Sequence, residues 1–135
     1  MHISSSVERI LHDKAVVIRT FYDRFLAECP EARRHFVGVR MEHQASMLTM
    51  ALVTIEGHYS HSYPATEHYL KVLGCRHRNY GVPRELFPQF GRSLIATLRE
   101  FHGADWDQEL ERQWNEAFEK ATETMFVGYE EEFVY

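Results

Sequence analysis

Apolar residues recur every three or four positions along nearly the whole chain. From Val7 to Leu26 they keep helical spacing, with no Gly or Pro before Pro30. A second strong stripe runs from Phe87 to Phe101, and this period of about 3.6 residues is typical of amphipathic helices. No segment shows the strict alternation of a half-buried strand. The pattern therefore predicts an all-α fold of six to seven helices.

Prolines, glycines and capping residues predict where the helices begin and end. The first stretch forms either one long helix or two with a bend near Asp13. Pro30 opens a short helix because proline suits the first turn. Further helices are predicted over residues 30–36, 41–55, 65–80 and 87–101, and a last one from about residue 104. Gly57 is expected to end the helix predicted over residues 41–55. Residues 58–64 are expected to form a loop, and Gly128 is expected to break the last helix.

One glycine falls inside a predicted helix. Gly91 interrupts the stripe that runs from Phe87 to Phe101, where glycine costs about 1 kcal/mol of helix stability relative to alanine. We therefore expect Gly91 to mark a close contact with another helix.

Length and charge limit the choice of function. A chain of 135 residues suits a single domain, residues 1–135, with one core. The net charge is −5 and the basic residues are scattered, which argues against nucleic acid or an acidic membrane as a partner. There is neither an apolar signal region nor an apolar run of membrane-spanning length, so a cytoplasmic setting is expected.

Histidines and cysteines form no familiar metal or disulfide motif. Nine histidines are present, but CxxC, HxxxH and HExxH spacings do not occur, and we do not expect a zinc site. Cys29 and Cys75 are far apart in the sequence and suggest no disulfide framework. Cys29 is expected to be a small buried apolar residue.

The most informative histidine is His77. Leu70, Leu73 and His77 share one helical face, and that face is apolar until it reaches the imidazole. Gly81 and Pro83 end the helix soon afterwards. His77 is therefore expected to point inward near a helix C-terminus, as either a hydrogen-bonded core residue or a metal ligand.

Two polar residues also lie on apolar stripes. Gln44 precedes Leu48 by four positions, and Tyr22 lies between Ile18 and Leu26. A buried amide or phenol needs a hydrogen-bonding partner. The alternatives are a surface position for Gln44 at the helix start and an ordinary core role for Tyr22.

Four segments, in this order, resemble the globins. They are FYDRF at residues 21–25, PEARRHF at 30–36, LGCRHRNYGV at 73–82 and FGRSLIATL at 90–98. These resemble the FYDR/LF segment, the short third helix, the LGxxHxxYGV stretch and the VGxxLLxTL core of bacterial flavohaemoglobin haem domains and their single-domain relatives. Trp114 also stands where that family has Trp. Each segment alone is weak, but the ordered set is specific and covers nearly the whole chain.

The resemblance implies a globin fold of six to eight helices around a haem pocket. His77 matches the proximal ligand of the iron, and the haem is expected to be b-type because no CxxCH motif is present. Tyr22 and Gln44 match the family's distal pair, which donates to a diatomic ligand carrying partial negative charge. The other expected contacts are Phe36 on the porphyrin and Leu48 and Phe87 as pocket walls.

A rival distal group stands beside Gln44. His43 as a second axial ligand would make the iron six-coordinate. We rank His43 below Gln44 because it lies off the apolar stripe that contains Leu48 and Ile55.

Two departures from the family change the expected chemistry. Flavohaemoglobins usually have Tyr ten residues after the proximal His, where this chain has Phe87, and a Glu near the end of the last helix. Glu131 falls at that second position, but in an acidic tail where a solvated role is expected. A strong proximal hydrogen bond, and the peroxidase-like or fast dioxygenase chemistry it supports, is therefore not expected.

Three functions are compatible with the resemblance. The first is reversible binding of O₂, NO or CO, as in a bacterial haemoglobin. The second is an NO dioxygenase. The sequence has no G-x-G-x-x-G spacing for a flavin or nicotinamide domain, so this enzyme would need an external reductase. The third is a haem-based gas sensor that signals through its surface.

Overall fold

The structure, a computed structural model, describes residues 1–132. Within that range the chain forms six α-helices and two short 3-10 helices. In chain order they are α1 (Ile3–His12), α2 (Lys14–Glu28), a 3-10 helix (Pro30–Phe36), α3 (Met41–His61), α4 (Pro64–Asn79), α5 (Leu86–His102), a 3-10 turn (Gly103–Asp105) and α6 (Gln108–Tyr129). The predicted all-α fold is confirmed.

The first stretch is two helices rather than one. Asp13 separates α1 from α2 with φ −125° and ψ 30°, and its N–H donates to the carbonyl of Ile10 at 3.1 Å. The short helix predicted at Pro30–Phe36 is present as a 3-10 helix. Cys29, just before it, is only 1% exposed, as expected of a small buried residue.

The predicted end of α3 at Gly57 is wrong, and so is the predicted loop at residues 58–64. The helix continues to His61 because its last turn is anchored to α6. His58 is buried, its Nε2 lies 3.0 Å from Thr124 Oγ1, and its carbonyl accepts from Lys120 Nζ at 2.9 Å. These tertiary contacts outweigh the cost of a helical glycine, about 1 kcal/mol.

The predicted start of the last helix is also wrong. Residues Gly103–Asp105 form a separate 3-10 turn, and α6 begins at Gln108. Asp107 is the N-cap, since its Oδ1 accepts from the N–H of Leu110 at 2.8 Å. A side-chain acceptor at this position satisfies one of the free N–H groups of the first turn.

Two glycines let α4 and α6 touch through their backbones. A Cβ at Gly74 would overlap the carbonyl oxygen of Met125, and a Cβ at Gly128 would overlap that of Lys71. The predicted helix break at Gly128 is therefore wrong. Gly128 lies within α6, where that helix crosses α4. The expected contact at Gly91 is confirmed, because a Cβ there would lie 2.6 Å from the Phe118 ring.

A shared hydroxyl ties α1, α5 and α6 together in the core. Ser6 Oγ lies 2.6 Å from His102 Nε2 and accepts from Trp114 Nε1 at 3.0 Å. All three side chains are buried. Among the residues that the structure describes, His102 Nδ1 has no hydrogen-bond partner. A proton added there would be buried without an acceptor.

Acid is expected to weaken this core. Burial lowers the pKa of His102, with Arg9 acting in the same direction and Asp105 in the opposite one. The unfolded chain takes up the proton near pH 6.5, whereas the folded chain takes it up only at lower pH. Stability is therefore full above pH 6.5 and falls as the pH drops below it, by up to about 1.4 kcal/mol per pH unit for one such histidine.

Denaturant titrations between pH 7.5 and pH 5 measure this loss. We expect His102→Gln to flatten the pH dependence of the unfolding free energy. His12→Gln, a change at an exposed histidine of α1, serves as the control and should follow the wild type. Equal slopes for the wild type and His102→Gln would contradict the assignment.

Between residues 1 and 132, no helix combines the length and the apolar character that crossing a bilayer requires.

Candidate functional site

His77 lies in the last turn of α4 with one ring nitrogen engaged. Its Nδ1 is 2.8 Å from the carbonyl oxygen of Leu73, which can only accept a hydrogen bond. A neutral His77 therefore holds its proton on Nδ1 and keeps the lone pair of Nε2 free. Burial lowers the pKa of His77, while the bond to Leu73 acts in the opposite direction. The neutral form is the one that can bind a metal.

The wall beside His77 is aromatic. The ring of Phe87 lies 6.0 Å from the imidazole, centroid to centroid. Phe87 in turn packs against Phe126 at 5.0 Å and Tyr129 at 6.0 Å. The Tyr129 hydroxyl donates to the carbonyl of Val82 at 2.8 Å, which fixes the turn between α4 and α5 to the end of α6.

Sequence reasoning missed Tyr129. Its burial raises its pKa to about 12, so the hydroxyl remains a donor at neutral pH. The signal was present, because Ala121, Met125 and Tyr129 continue one helical stripe at intervals of four. The incorrect helix break at Gly128 hid it.

Glu131 is half-buried. Its backbone carbonyl accepts from Arg78 Nη1 at 2.9 Å, and the same guanidinium nitrogen donates to the carbonyl of Tyr129 at 2.9 Å. Arg78 thereby joins the end of α6 to α4. The acceptor at His77 Nδ1 is the carbonyl of Leu73, which bears no charge.

A second polar group joins α2 to α3. Gln44 Nε2 donates to the Tyr22 hydroxyl at 2.9 Å. Tyr22 is 3% exposed and Gln44 is half-buried. Burial raises the pKa of Tyr22 to about 12, against the opposite effect of the Gln44 hydrogen bond. The hydroxyl is thus protonated at neutral pH and, while it accepts from Gln44, keeps its own hydrogen for another acceptor.

The remaining predicted residues border this pair or stand apart from it. Phe36 is half-buried and meets the Tyr22 ring edge-on, with 5.5 Å between centroids. Leu48 is buried one helical turn after Gln44. His43 is exposed, on the solvent side of α3.

His35, which precedes Phe36, contributes to the lowering of the pKa of His77. Helix α4 packs mainly against α6 and only sparsely against α3. The predicted site residues therefore comprise an imidazole with a free nitrogen, apolar side chains and a buried hydroxyl–amide pair. This donor set fits a haem, which needs a neutral nitrogen ligand and an apolar surround.

A separate surface cleft of about 680 Å³ lies between α5 and α6. Ile95 and Phe118 line it, together with the ion pair between Arg99 and Glu111. None of the predicted site residues borders it. Its walls offer no nucleophile or free imidazole, and we assign it no chemistry.

Comparison with known proteins identifies the family. The family model described as Globin matches residues 19–125. The chain belongs to the globin family. Membership implies haem binding and bears out the resemblance seen in the sequence, and the matched range includes all six predicted site residues: Tyr22, Phe36, Gln44, Leu48, His77 and Phe87.

Several curated relatives of this globin are flavohemoproteins. Those of Bacillus thuringiensis subsp. konkukian and Bacillus anthracis are each 28% identical to it over 120 residues. The flavohemoprotein of Bacillus cereus shows the same identity over the same length. The alignments cover 87% of this chain but 29% of each relative. The globin chain therefore spans less than a third of the length of these relatives.

Proposed function

We propose that this globin reversibly binds O₂ or another diatomic gas on a b-type haem held by His77. The observation that carries the proposal is the hydrogen bond between Gln44 and the buried Tyr22 hydroxyl. A hydroxyl–amide pair in an apolar environment costs free energy unless its hydrogen bonds are used. A small polar ligand beside Tyr22 would use the hydrogen that Gln44 leaves free.

Each residue has a defined task in this proposal. When bound, haem supplies an iron that coordinates diatomic gases. His77 would provide the neutral nitrogen that holds the haem iron, oriented by its bond to Leu73. Tyr22 would donate its hydrogen to a diatomic ligand that carries partial negative charge, while Gln44 orients the hydroxyl. Phe36 and Leu48 keep the surroundings apolar.

Removing the Tyr22 hydroxyl should speed the release of O₂. A hydrogen bond to a partially charged acceptor contributes roughly 1.5–3 kcal/mol, so we expect Tyr22→Phe to raise the O₂ dissociation rate about 10- to 100-fold. Gln44→Leu should act in the same direction and more weakly, because Tyr22 would keep its hydroxyl. Stopped-flow displacement of O₂ measures both rates.

Tyr59→Phe is the matched control. Tyr59 also lies on a helix of this site, α3, but its hydroxyl donates to Glu116 on α6 at 2.9 Å. Its loss should leave the O₂ dissociation rate unchanged. If neither Tyr22→Phe nor Gln44→Leu changes that rate, the assignment of these residues to the ligand side is wrong.

An NO dioxygenase with an external reductase is the second candidate. The similarity to flavohemoproteins favours it. Against it, the acceptor at His77 Nδ1 is an uncharged carbonyl and the neighbouring ring is Phe87, an arrangement that donates little electron density to an iron ligand. The discriminating measurement is sustained NO consumption over many turnovers with a flavin reductase, because a simple gas binder stops after one.

A further inference from the structure

Two histidines between residues 1 and 132 are buried, His58 with 4% and His102 with 5% of its surface exposed. In each ring the Nδ1 atom has no hydrogen-bond partner within that part of the chain. His102 belongs to the core around Ser6, whereas His58 lies in the last turn of α3, shortly before α4 begins. A proton added to Nδ1 of His58 would therefore be buried without an acceptor.

The hydroxyl of Thr124 determines which nitrogen of His58 carries the proton. This hydroxyl donates its single hydrogen to the carbonyl of Lys120 at 3.1 Å. Its oxygen therefore accepts from His58 Nε2, which lies 3.0 Å away. Neutral His58 has its proton on Nε2 and a bare Nδ1. Protonation would add a second N–H and a positive charge in the interior.

Lys120 makes a charged His58 still less favourable. Its Nζ donates to the carbonyl of His58 at 2.9 Å, which places a positive charge beside the imidazole. Burial lowers the pKa of His58, Lys120 acts in the same direction, and Glu67 of α4 acts in the opposite one. The Glu67 carboxylate also faces a cation of its own helix, since its Oε1 lies 3.5 Å from Lys71 Nζ.

The other charged groups around the end of α3 do not offset this repulsion. Glu116, one helical turn before Lys120 on α6, accepts from Tyr59 at 2.9 Å and from Arg112 at 2.7 Å. Among the described residues, no charged group of α1 or α2 acts on the pKa of His58. A helix C-terminus attracts cations, but Lys120 already supplies one to the carbonyl of His58.

The last turn of α3 depends on these contacts because Gly57 lies just before it. Glycine is unfavourable inside a helix, and a Cβ at Gly57 would meet nothing within 4 Å. We propose that acid releases the last turn of α3 from α6, so that the helix then ends at Gly57. Proton uptake by His58 favours the open form, in which its imidazole reaches water. The inference does not depend on haem or on the proposed function.

The uptake of a single proton sets the size of the effect. An exposed histidine takes up its proton near pH 6.5, whereas His58 in the closed form does so only at lower pH. The open form is therefore favoured as the pH falls below 6.5, by at most about tenfold per pH unit. Between pH 7.5 and pH 5.5 we expect its population to rise by up to about tenfold.

Amide hydrogen exchange of the full chain at pH 7.5 and pH 5.5 tests the proposal. Protection factors, which correct for the intrinsic pH dependence of exchange, should fall by up to about tenfold at residues 59–62. Residues 50–57 should keep theirs. In His58→Gln the protection of residues 59–62 should be equal at the two pH values, because an amide does not titrate. His61→Gln is the matched control, since His61 is exposed in the same turn, and it should behave like the wild type.

His102→Gln separates this local opening from a general loss of stability in acid. It removes the other buried histidine and leaves the contacts of His58 in place, so residues 59–62 should still open in acid. The proposal is wrong if the protection of these residues in the wild type does not change with pH. It is equally wrong if their protection falls as much in His58→Gln as in the wild type, or if the acid effect disappears in His102→Gln.

Discussion

Replacing His77 with alanine is expected to abolish stable haem binding. Loss of a group that only orients a metal ligand already costs about 10- to 100-fold in affinity, and His77 is the ligand itself in our proposal. We expect haem affinity to fall more than 100-fold and the Soret absorbance of the purified protein to disappear. Haem titration of the unliganded protein, followed by absorbance, measures the change.

His43→Ala is the control for this experiment. His43 is exposed on α3, and its replacement should leave haem affinity and the ferric spectrum unchanged. If His43 were the second ligand of a six-coordinate iron, the ferric spectrum would change instead. Added imidazole should partly restore haem binding to His77→Ala, and circular dichroism should show that its helices persist. Haem held equally firmly by His77→Ala would refute the role of His77.

Gly128→Ala is expected to destabilise the fold strongly. The new Cβ would overlap the backbone carbonyl of Lys71, and a backbone cannot rotate aside as a side chain can. Adding atoms to a tightly packed site costs about 1–3 kcal/mol and occasionally more. Since α4 and α6 would have to separate, we expect about 3 kcal/mol or more, measured by denaturant unfolding.

Gly57→Ala provides the matched control for stability. It makes the same chemical change in a helix, but in open space, and should raise the unfolding free energy by about 0.5–1 kcal/mol. The two substitutions should therefore have opposite signs. A Gly128→Ala protein as stable as the wild type would contradict the backbone contact between α4 and α6.

Local sequence signals located the helices better than their ends. The 3.6-residue period and the caps predicted the elements, but the rule that glycine ends a helix failed at Gly57 and Gly128. In the first case His58 is anchored to Thr124, more than sixty residues away. In the second, glycine is needed for the space it leaves beside Lys71. Both reasons are tertiary contacts, which a local pattern does not contain.

In the candidate site, too, local patterns predict the residues but not the tertiary contacts between them. Each proposed site residue is predicted from an apolar stripe or from the order of the globin-like segments. The hydrogen bond between Gln44 and Tyr22 joins α2 to α3. No rule about residue spacing predicts how these two helices cross. The effect of His35 on the pKa of His77 likewise depends on where the short 3-10 helix lies relative to α4.

The Ser6 hydroxyl also limits how far the chain can be truncated from its N-terminal side. The family match begins at residue 19, yet Ser6 on α1 is hydrogen-bonded to both His102 and Trp114. A fragment that began at the family boundary would leave the His102 imidazole and the Trp114 indole N–H buried without their hydrogen-bond partner. The minimal folding unit therefore begins at α1, and an expression truncation that respects homology alone would remove a part of the core.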